Sequence, residues 1–185
     1  LADMQNTLMQ KFPAENFTLT SKLKFIPNPG NKNKGEEAGF IIKGLDYAAI
    51  KFVTTKDGCF LRFVNCKNAM KGGKEEVLHE MPITLTELEK PYTQKYAVDD
   101  IPQPRHATQD IYVRAVVKSA GICNNITSSA QFYYSLDGKK YVKLGQPFAV
   151  KEGKWIGAKV GYFNCRSSVS NDAAFLDVDW IKFTK

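Results

Sequence analysis

Alternation of apolar and polar residues dominates this chain. In the stretch FTLTSKLKFI, one parity carries Phe17, Leu19, Ser21, Leu23 and Phe25, and the other carries threonine and lysine. Because successive side chains of a strand point to opposite faces, this period of two predicts a half-buried strand of an antiparallel sheet. Similar strand-like patterns recur in EAGFIIKG, YAAIKFVTT, CFLRFVNC, DIYVRAVVKSA, AQFYYSL, YVKLG, WIGAKVGYFNC and AAFLDVDWIKF.

Turn signals separate the predicted strands, among them NPGNKNKG, KDG, KGGK, SLDGKK and KEGK. In SLDGKK, Asp137 and Gly138 supply the positive φ that a tight hairpin requires. The best candidate for a helix is the short stretch LTELEK. Many short strands at near-regular spacing predict an all-β fold, a two-sheet antiparallel jelly-roll sandwich that forms a single domain over residues 1–185.

Residues 90–109 break the rhythm of strands and turns. The segment KPYTQKYAVDDIPQPRHATQ is long and polar and contains three prolines. Its composition predicts a loop or insertion at the surface, comparatively mobile, with either a passive or a functional role.

Composition and charge narrow the possible functions. The 185 residues carry a net charge of +7, but the lysines are scattered and their small clusters end in glutamates. This pattern favours a solvated surface, and no nucleic-acid-binding signature accompanies it. No apolar run reaches the roughly 20 residues that a membrane span needs. Neither a signal peptide nor an initial Met is visible, which indicates a processed protein or an excised domain.

Residues that commonly perform catalysis do not form a recognisable set. His79, in EVLHEM, is expected to be an exposed strand residue, and His106 lies in the predicted loop; neither has a neighbour at metal-ligand spacing. Cys59 and Cys66 fall at opposite parity in one strand and should face opposite sheet surfaces. All four cysteines are predicted to be small core residues; the alternative is a disulfide bond between cysteines of distant strands.

The C-terminal stretch FLDVDWIKF raises a specific question. As a regular strand it places Leu176, Val178 and Trp180 on one face. Asp177 and Asp179 then share the other face with large apolar groups, which is costly unless the carboxylates are solvated, paired or bound to a metal.

The order of several motifs resembles a known module. These motifs are NTLMQKFPAENFTLTSKLKF, EAGFIIKGLDYAAIKF, CKNAMKGGKEE, YSLDGKKYVKLGQPF, EGKWIGAKVGYFNC and FLDVDWIKF. Together they resemble the C-terminal concanavalin A-like domain of family 43 glycoside hydrolases, the β-xylosidase and α-arabinofuranosidase group. The resemblance covers most of the chain, but residues 90–109 depart from it, which puts a standard domain interface in doubt.

The resemblance implies a partner and a function. A catalytic five-bladed β-propeller would precede residue 1, and the sandwich would support it as an accessory domain of a plant-polysaccharide glycoside hydrolase. In some such enzymes the sandwich lends a loop to the active-site rim; the glycines of KNAMKGGKEE make it a candidate, beside a plain hairpin turn. A secreted or periplasmic location follows from the inferred polysaccharide substrate. The resemblance implies that this chain is part of a family 43 glycoside hydrolase; whether the chain alone is an enzyme stays open, because no catalytic set is recognisable in it.

An independent lectin-like module that binds oligo- or polysaccharide is the alternative function. In QFYYSL, Phe132 and Tyr134 share one parity and Tyr133 faces the other way, so an aromatic ring must lie outside the core or against a partner. Tyr133 is therefore the candidate sugar-stacking residue. Trp155 and Trp180 are expected to be core residues.

A structural calcium ion is the one cofactor that the resemblance suggests. The ending DWIKF resembles the closing strand of carbohydrate-active jelly rolls, in which an aspartate at the position of Asp179 helps to hold calcium. Oxygen ligands from the N-terminal stretch, Glu15 among them, would complete the site. The alternative is that both aspartates face water or pair with lysines.

Overall fold

Strands make up 71% of the residues that the structure describes. A computed structural model describes residues 6–28, 35–88, 105–119, 128–153, 157–166 and 174–185. The strands are β1 Thr7–Lys11, β2 Asn16–Ile26, β3 Glu36–Lys43, β4 Tyr47–Thr55, β5 Gly58–Cys66, β6 Glu75–Ile83, β7 Leu85–Glu87, β8 His106–Thr108, β9 Ile111–Lys118, β10 Ser128–Ser135, β11 Val142–Val150, β12 Lys159–Arg166 and β13 Phe175–Thr184.

Two antiparallel sheets form the sandwich. The six-stranded sheet has the order β1-β12-β3-β4-β5-β6, and the five-stranded sheet has the order β11-β10-β9-β2-β13. Strands β7 and β8 form a separate two-stranded sheet. The described residues contain a 3-10 turn at Ala69–Lys71 and no helix long and apolar enough to cross a membrane. The predicted all-β, two-sheet antiparallel architecture is therefore confirmed.

The core lies between the two sheets and follows the predicted alternation. In β2, the inward parity places Phe17, Leu19, Leu23 and Phe25 in the core, all of them buried. Because β2 and β9 pair residue by residue, the inward side chains of β9 join the same apolar layer.

The outer face of the six-stranded sheet is buried as well. Ile41, Ala49, Val64 and Phe163 form a second apolar cluster there. β4 is consequently buried on both sides, from Tyr47 to Thr54.

A buried lysine lies next to the second apolar cluster. Lys51 is only 2% exposed, and its ammonium group forms ion pairs with Glu37 and Glu75. Tyr47 donates a hydrogen bond of 2.7 Å from its hydroxyl to Glu75. Burial, followed by the neighbouring Glu75 carboxylate, raises the pKa of Tyr47 well above its usual value. The buried charge is thus balanced by two carboxylates, as a charge in a dry environment requires.

A β-bulge in β13 corrects the predicted facing of the C-terminal strand. Val178 pairs with Leu23, whereas Trp180 pairs with Lys22, so that Asp179 is an extra residue between two consecutive pairs. One extra residue reverses the parity of everything that follows it. Leu176 and Val178 pack on the core as predicted. The prediction that Trp180 shares their face is wrong.

The end of the predicted surface loop is buried. Residues 89–104 lie outside the described part of the chain, but Arg105, Ala107 and Thr108 are buried. Thr108 accepts a hydrogen bond of 3.0 Å at its Oγ1 from the backbone N–H of Phe25, which ties β8 to the core strand β2. The prediction of a surface position is therefore wrong for Arg105, Ala107 and Thr108, and the mobility of the segment stays a prediction. The stretch LTELEK, named above as the best candidate for a helix, instead forms strand β7 at Leu85–Glu87.

Candidate functional site

Tyr133 points away from the core, as its parity predicts. In β10, Phe132 is fully buried between the sheets and Tyr134 packs against the same core. Tyr133 is half-buried and lies on the opposite side of the strand, directly across from Arg114 of β9.

A row of polar and aromatic side chains crosses the five-stranded sheet at Tyr133. Cα pairing places its members side by side, one from each strand. The row, which we call the outer row, consists of Lys143, Tyr133, Arg114, Thr20 and Lys182. At the usual strand spacing of about 4.8 Å, it spans about 19 Å.

Arg114 is the most constrained member of the outer row. Its guanidinium carbon lies 3.6 Å from the centroid of the Tyr141 ring, which is the geometry of a cation–π contact. Its Nε donates a hydrogen bond of 3.2 Å to Oγ1 of Thr20. Two contacts of different kinds thus hold the planar guanidinium group in one orientation on a half-exposed surface.

Aromatic rings continue beside the outer row. The ring centroids of Tyr112 and Trp180 lie 6.2 Å apart at an angle of 49°. A Cβ added to Gly138, which has a φ of 70°, would lie 3.0 Å from the Tyr112 ring. The hairpin turn and the ring therefore pack closely because residue 138 is glycine. Trp180 is 39% exposed and lies on this outer face, so the prediction that it is a core residue is wrong; Trp155 lies outside the described residues.

Carboxylates on the outer face pair with lysines of β2. Lys22 lies 2.9 Å from Asp179 and 3.1 Å from Asp110, and Lys24 lies 3.2 Å from Asp110. The hydrogen bonds that its ammonium group donates to Asp179 and, next in effect, to Asp110 raise the pKa of Lys22 above its usual value. Burial opposes ionisation of Asp110, but its bonds with Lys22 and Lys24 outweigh this effect and hold the pKa of that carboxyl below its usual value.

Of the two aspartates of FLDVDWIKF, Asp177 is exposed and Asp179 pairs with Lys22. The structure favours the alternative of pairing with lysine for Asp179. Glu15 directly precedes β2, whereas Asp179 lies beside Lys22 of that strand, seven residues further along the chain. At the usual rise of a strand, Glu15 and Asp179 are therefore about 23 Å apart along β2. No group of three His, Cys, Asp or Glu side chains that could hold a metal occurs among the described residues. Asp179 and Glu15 are thus not brought together, and the calcium ion stays a prediction.

A cleft opens where the edges of the two sheets meet. It has a volume of about 750 Å³ and lies between the β1–β12 pair and β13. Its walls include Leu8, Phe163, Leu176 and Ile181, so it is mainly apolar. Leu8 is 75% exposed and Ile181 is 45% exposed. We call this feature the edge cleft.

The remaining candidate residues lie apart from these two surfaces. The CKNAMKGGKEE segment connects β5 to β6 around the 3-10 turn, where Asn68 and Gly72 adopt left-handed backbone conformations. The backbone N–H of Asn68 donates a hydrogen bond of 2.7 Å to Oδ1 of the buried Asp46. The hydrogen bond to Asp46 thus holds this segment in place as a connection between the neighbouring strands β5 and β6. His79 is half-buried rather than exposed, and its ring lies 5.7 Å from that of Tyr134.

The described cysteines behave as small core residues. Cys59 belongs to the core between the sheets, whereas Cys66 belongs to the apolar cluster on the outer face, as their opposite parity predicts. Burial raises the pKa of the Cys59 thiol to about 12, which makes it a poor nucleophile at neutral pH. Cys123 lies outside the described residues.

Sequence reasoning overlooked Arg114, Tyr112 and Tyr141. The alternation of DIYVRAVVKSA already separates Tyr112 and Arg114 from the buried residues of β9. That signal could have placed both on the outer face. The contact of Arg114 with Tyr141 depends on how the hairpin folds back, which alternation does not report.

Comparison with known proteins decides the family. The model of the β-xylosidase C-terminal concanavalin A-like domain matches residues 1–184. The chain belongs to this family. It is similar to a β-xylosidase from Formosa agariphila, with 31% identity over 80 residues; the match covers 43% of this chain and 12% of that enzyme.

Solved structures show the same fold for this concanavalin A-like domain. A GH43 glycoside hydrolase engineered to display both endo-xylanase and exo-arabinofuranosidase activity matches with a TM-score of 0.67 and 20% identity, over 97% of this chain and 31% of its own. A bifunctional GH43-CE protein from Bacteroides eggerthii matches with a TM-score of 0.65 and 17% identity, over 97% of this chain and 19% of its own. The domain thus spans less than a third of the length of each of these relatives.

Proposed function

We propose that this domain is an accessory part of a plant-polysaccharide glycoside hydrolase and supports a catalytic β-propeller through the edge cleft. The observation that carries the proposal is the exposed apolar surface at the cleft, where Leu8 and Ile181 are open to solvent at the edges of both sheets. Large apolar side chains grouped at a cleft are typical of a surface that a partner covers.

Family membership supports the choice of partner. The domain belongs to a C-terminal family of β-xylosidases, and the relatives named above are several times longer than this chain. An unpaired strand edge such as that of β13 is a liability unless another element covers it. A catalytic domain of the same enzyme would cover both the edge and the cleft.

Hydrogen exchange tests the proposed docking. The 185-residue chain is compared with a longer polypeptide that includes the sequence encoded upstream of it. We expect the amides of β1 and β13 to exchange more slowly in the longer polypeptide, with little change in β6. A gene without an upstream catalytic domain, or equal exchange in the two proteins, would contradict the proposal.

A matched pair of variants locates the interface. In the longer polypeptide, Ile181→Lys introduces a charge at the cleft and should lower both the melting temperature and kcat/KM. Val77→Lys is the control, because Val77 is 48% exposed on β6, at the opposite edge of the six-stranded sheet. Equal effects of the two substitutions would place the interface elsewhere.

Carbohydrate binding on the outer face is a second candidate function. The outward position of Tyr133, beside Arg114 and on the same face of the sheet as Trp180, favours it, because aromatic rings pack well on the apolar face of a pyranose. Titration of the chain with fragments of xylan, arabinan and arabinoxylan tests it, with Tyr133→Ala as the variant. Dissociation constants in the millimolar range or tighter, weakened by the substitution, are expected. Either function acts on polysaccharide, so we expect a secreted or periplasmic protein, which cell fractionation checks.

A further inference from the structure

Arg114, a cation of the outer row, contacts two uncharged groups, the hydroxyl of Thr20 and the ring of Tyr141. The carboxylates Asp110 and Asp179 on the same face are engaged by Lys22 and Lys24. Among the described residues, no carboxylate pairs with Arg114. Its Nε bonds to Thr20, which leaves the terminal nitrogens of the fork as donors for a ligand.

The guanidinium group is held in place before any ligand arrives. Stacking on Tyr141 at 3.6 Å fixes its plane, and the bond to Thr20 fixes its rotation. A fork held in this way loses little conformational freedom when it binds a planar carboxylate through two parallel hydrogen bonds. Arg114 is therefore suited to a carboxylate more than to a diffuse negative charge.

Charge and ring positions around Arg114 define the kind of ligand. The outer row is positive at both ends, with the exposed side chains of Lys143 and Lys182, and Tyr133 lies between Lys143 and Arg114. An aromatic ring suits the face of a sugar, and the adjacent fork suits a carboxylate on that sugar or on its neighbour.

We propose that the outer row binds oligosaccharides that carry a uronic acid, with Arg114 holding the uronate carboxylate and Tyr133 stacking on the neighbouring ring. The proposal deepens the second candidate function, carbohydrate binding on this face, and rests on it. It adds the acidic class of ligand and the residue that selects this class.

Calorimetric titration with three probes tests the proposal. The probes are xylohexaose, a xylo-oligosaccharide of the same length with one glucuronic acid branch, and the same branched compound after reduction of its carboxyl group to an alcohol. We expect the acid to bind at least ten-fold more tightly than the reduced compound, which corresponds to about 1.4 kcal/mol. Equal binding of acid and reduced compound would overturn the uronate assignment and leave carbohydrate binding standing. Binding of none of the probes would overturn both, without touching the docking function of the edge cleft.

Substitutions at Arg114 test whether this residue determines the preference for the acidic probe. Arg114→Gln should remove the preference for the acid, and Arg114→Lys, which keeps the charge but lacks the fork, should retain only a small part of it. Lys67→Gln, at an exposed site on the connection between β5 and β6, is the control with the same loss of charge and should retain the full preference. Equal losses in Lys67→Gln and Arg114→Gln would show general electrostatic attraction and overturn the proposal.

Two measurements separate ligand binding from other roles of this face. Melting curves of the Arg114 variants must match that of the parent chain, and Tyr133→Ala should weaken all three probes equally while the preference for the acid persists. If Arg114→Gln instead changes self-association in gel filtration, or hydrogen exchange of β9 and β10 in the longer polypeptide, the face is a protein interface and the proposal is overturned.

Discussion

Asp137 holds the hairpin between β10 and β11 with a single carboxylate. Its Oδ1 accepts hydrogen bonds of 2.8 Å from the backbone N–H groups of Lys139 and Lys140, and one of 2.9 Å from the hydroxyl of Ser135. These bonds, led by the one from Lys140, hold the pKa of Asp137 at about 2. One side chain thus orders the turn whose glycine packs on Tyr112.

The stability that Asp137 contributes should depend on pH in a defined window. Its pKa is lower in the folded chain than the ordinary value of 3.8, so the contribution is present above about pH 4 and is lost as the pH falls toward 2. We expect Asp137→Ala to melt at a lower temperature than the parent chain at pH 7, and the difference to shrink between pH 4 and pH 2. Thermal denaturation followed by circular dichroism measures it.

Asp57 provides the control for this prediction. It lies in the turn between β4 and β5, and its carboxylate makes no hydrogen bond to the other described residues. Asp57→Ala should change the melting temperature little at any pH. An effect as large as that of Asp137→Ala would mean that general surface charge, and not the turn, sets the pH dependence.

At the scale of the strand, β3 and β4 approach each other closely at Gly39. A Cβ at this position would lie 2.2 Å from the carbonyl oxygen of Ile50 and 2.7 Å from Cα of Lys51. Both are backbone atoms, so no side chain can move away to make room. The glycine therefore sets the spacing at the centre of the six-stranded sheet.

Gly39→Ala should destabilise the chain by about 2 kcal/mol or more, because the strands must shift to accept the methyl group. Urea denaturation measures the change in the free energy of unfolding. Gly157→Ala is the matched control, since an added Cβ there meets nothing within 4 Å. Similar losses for the two variants would contradict the role of the close approach, since the lower entropy of the unfolded chain that Ala brings favours folding at both positions.

The sequence pattern predicts elements better than it predicts their irregularities. Alternation predicts β2 and its buried residues, since one face of that strand must be apolar. It predicts β3 and β4 as strands but not that both of their faces are buried. It does not predict the bulge at Asp179, because an inserted residue looks the same in the sequence as the next residue of a regular strand. The short pair β7 and β8 escapes detection since three residues carry too little periodicity.

Sequence analysis predicted only one residue of the candidate site, Tyr133. The outward position of Tyr133 follows from parity alone. The role of Arg114 depends on three other strands or turns, which bring Thr20, Tyr133 and Tyr141 to its sides. Such a combination arises from sheet order, and no local pattern reports it.

At the scale of the molecule, catalysis is expected to lie outside this chain. Hydrolysis of a glycoside needs an acid and a nucleophile or base on opposite sides of the scissile bond. On the outer face, the carboxylates of Asp110 and Asp179 are paired with lysines. We expect the chain alone to release no nitrophenol from 4-nitrophenyl xylosides or arabinofuranosides. Turnover above background that disappears when one carboxylate of this chain is replaced would contradict this expectation.

The extra residue in β13 also determines where the chain can be shortened. Asp179 lies between the consecutive pairs Val178–Leu23 and Trp180–Lys22, so removing it would join two regular ladders without moving any other pair. Removing Leu176 instead would shift one half of the strand relative to β2 and turn its side chains over. A chain lacking residue 179 should therefore fold, with a melting temperature near that of the parent, whereas one lacking residue 176 should not. The bulge marks the one place in this strand where a length change in a relative would leave the sandwich intact.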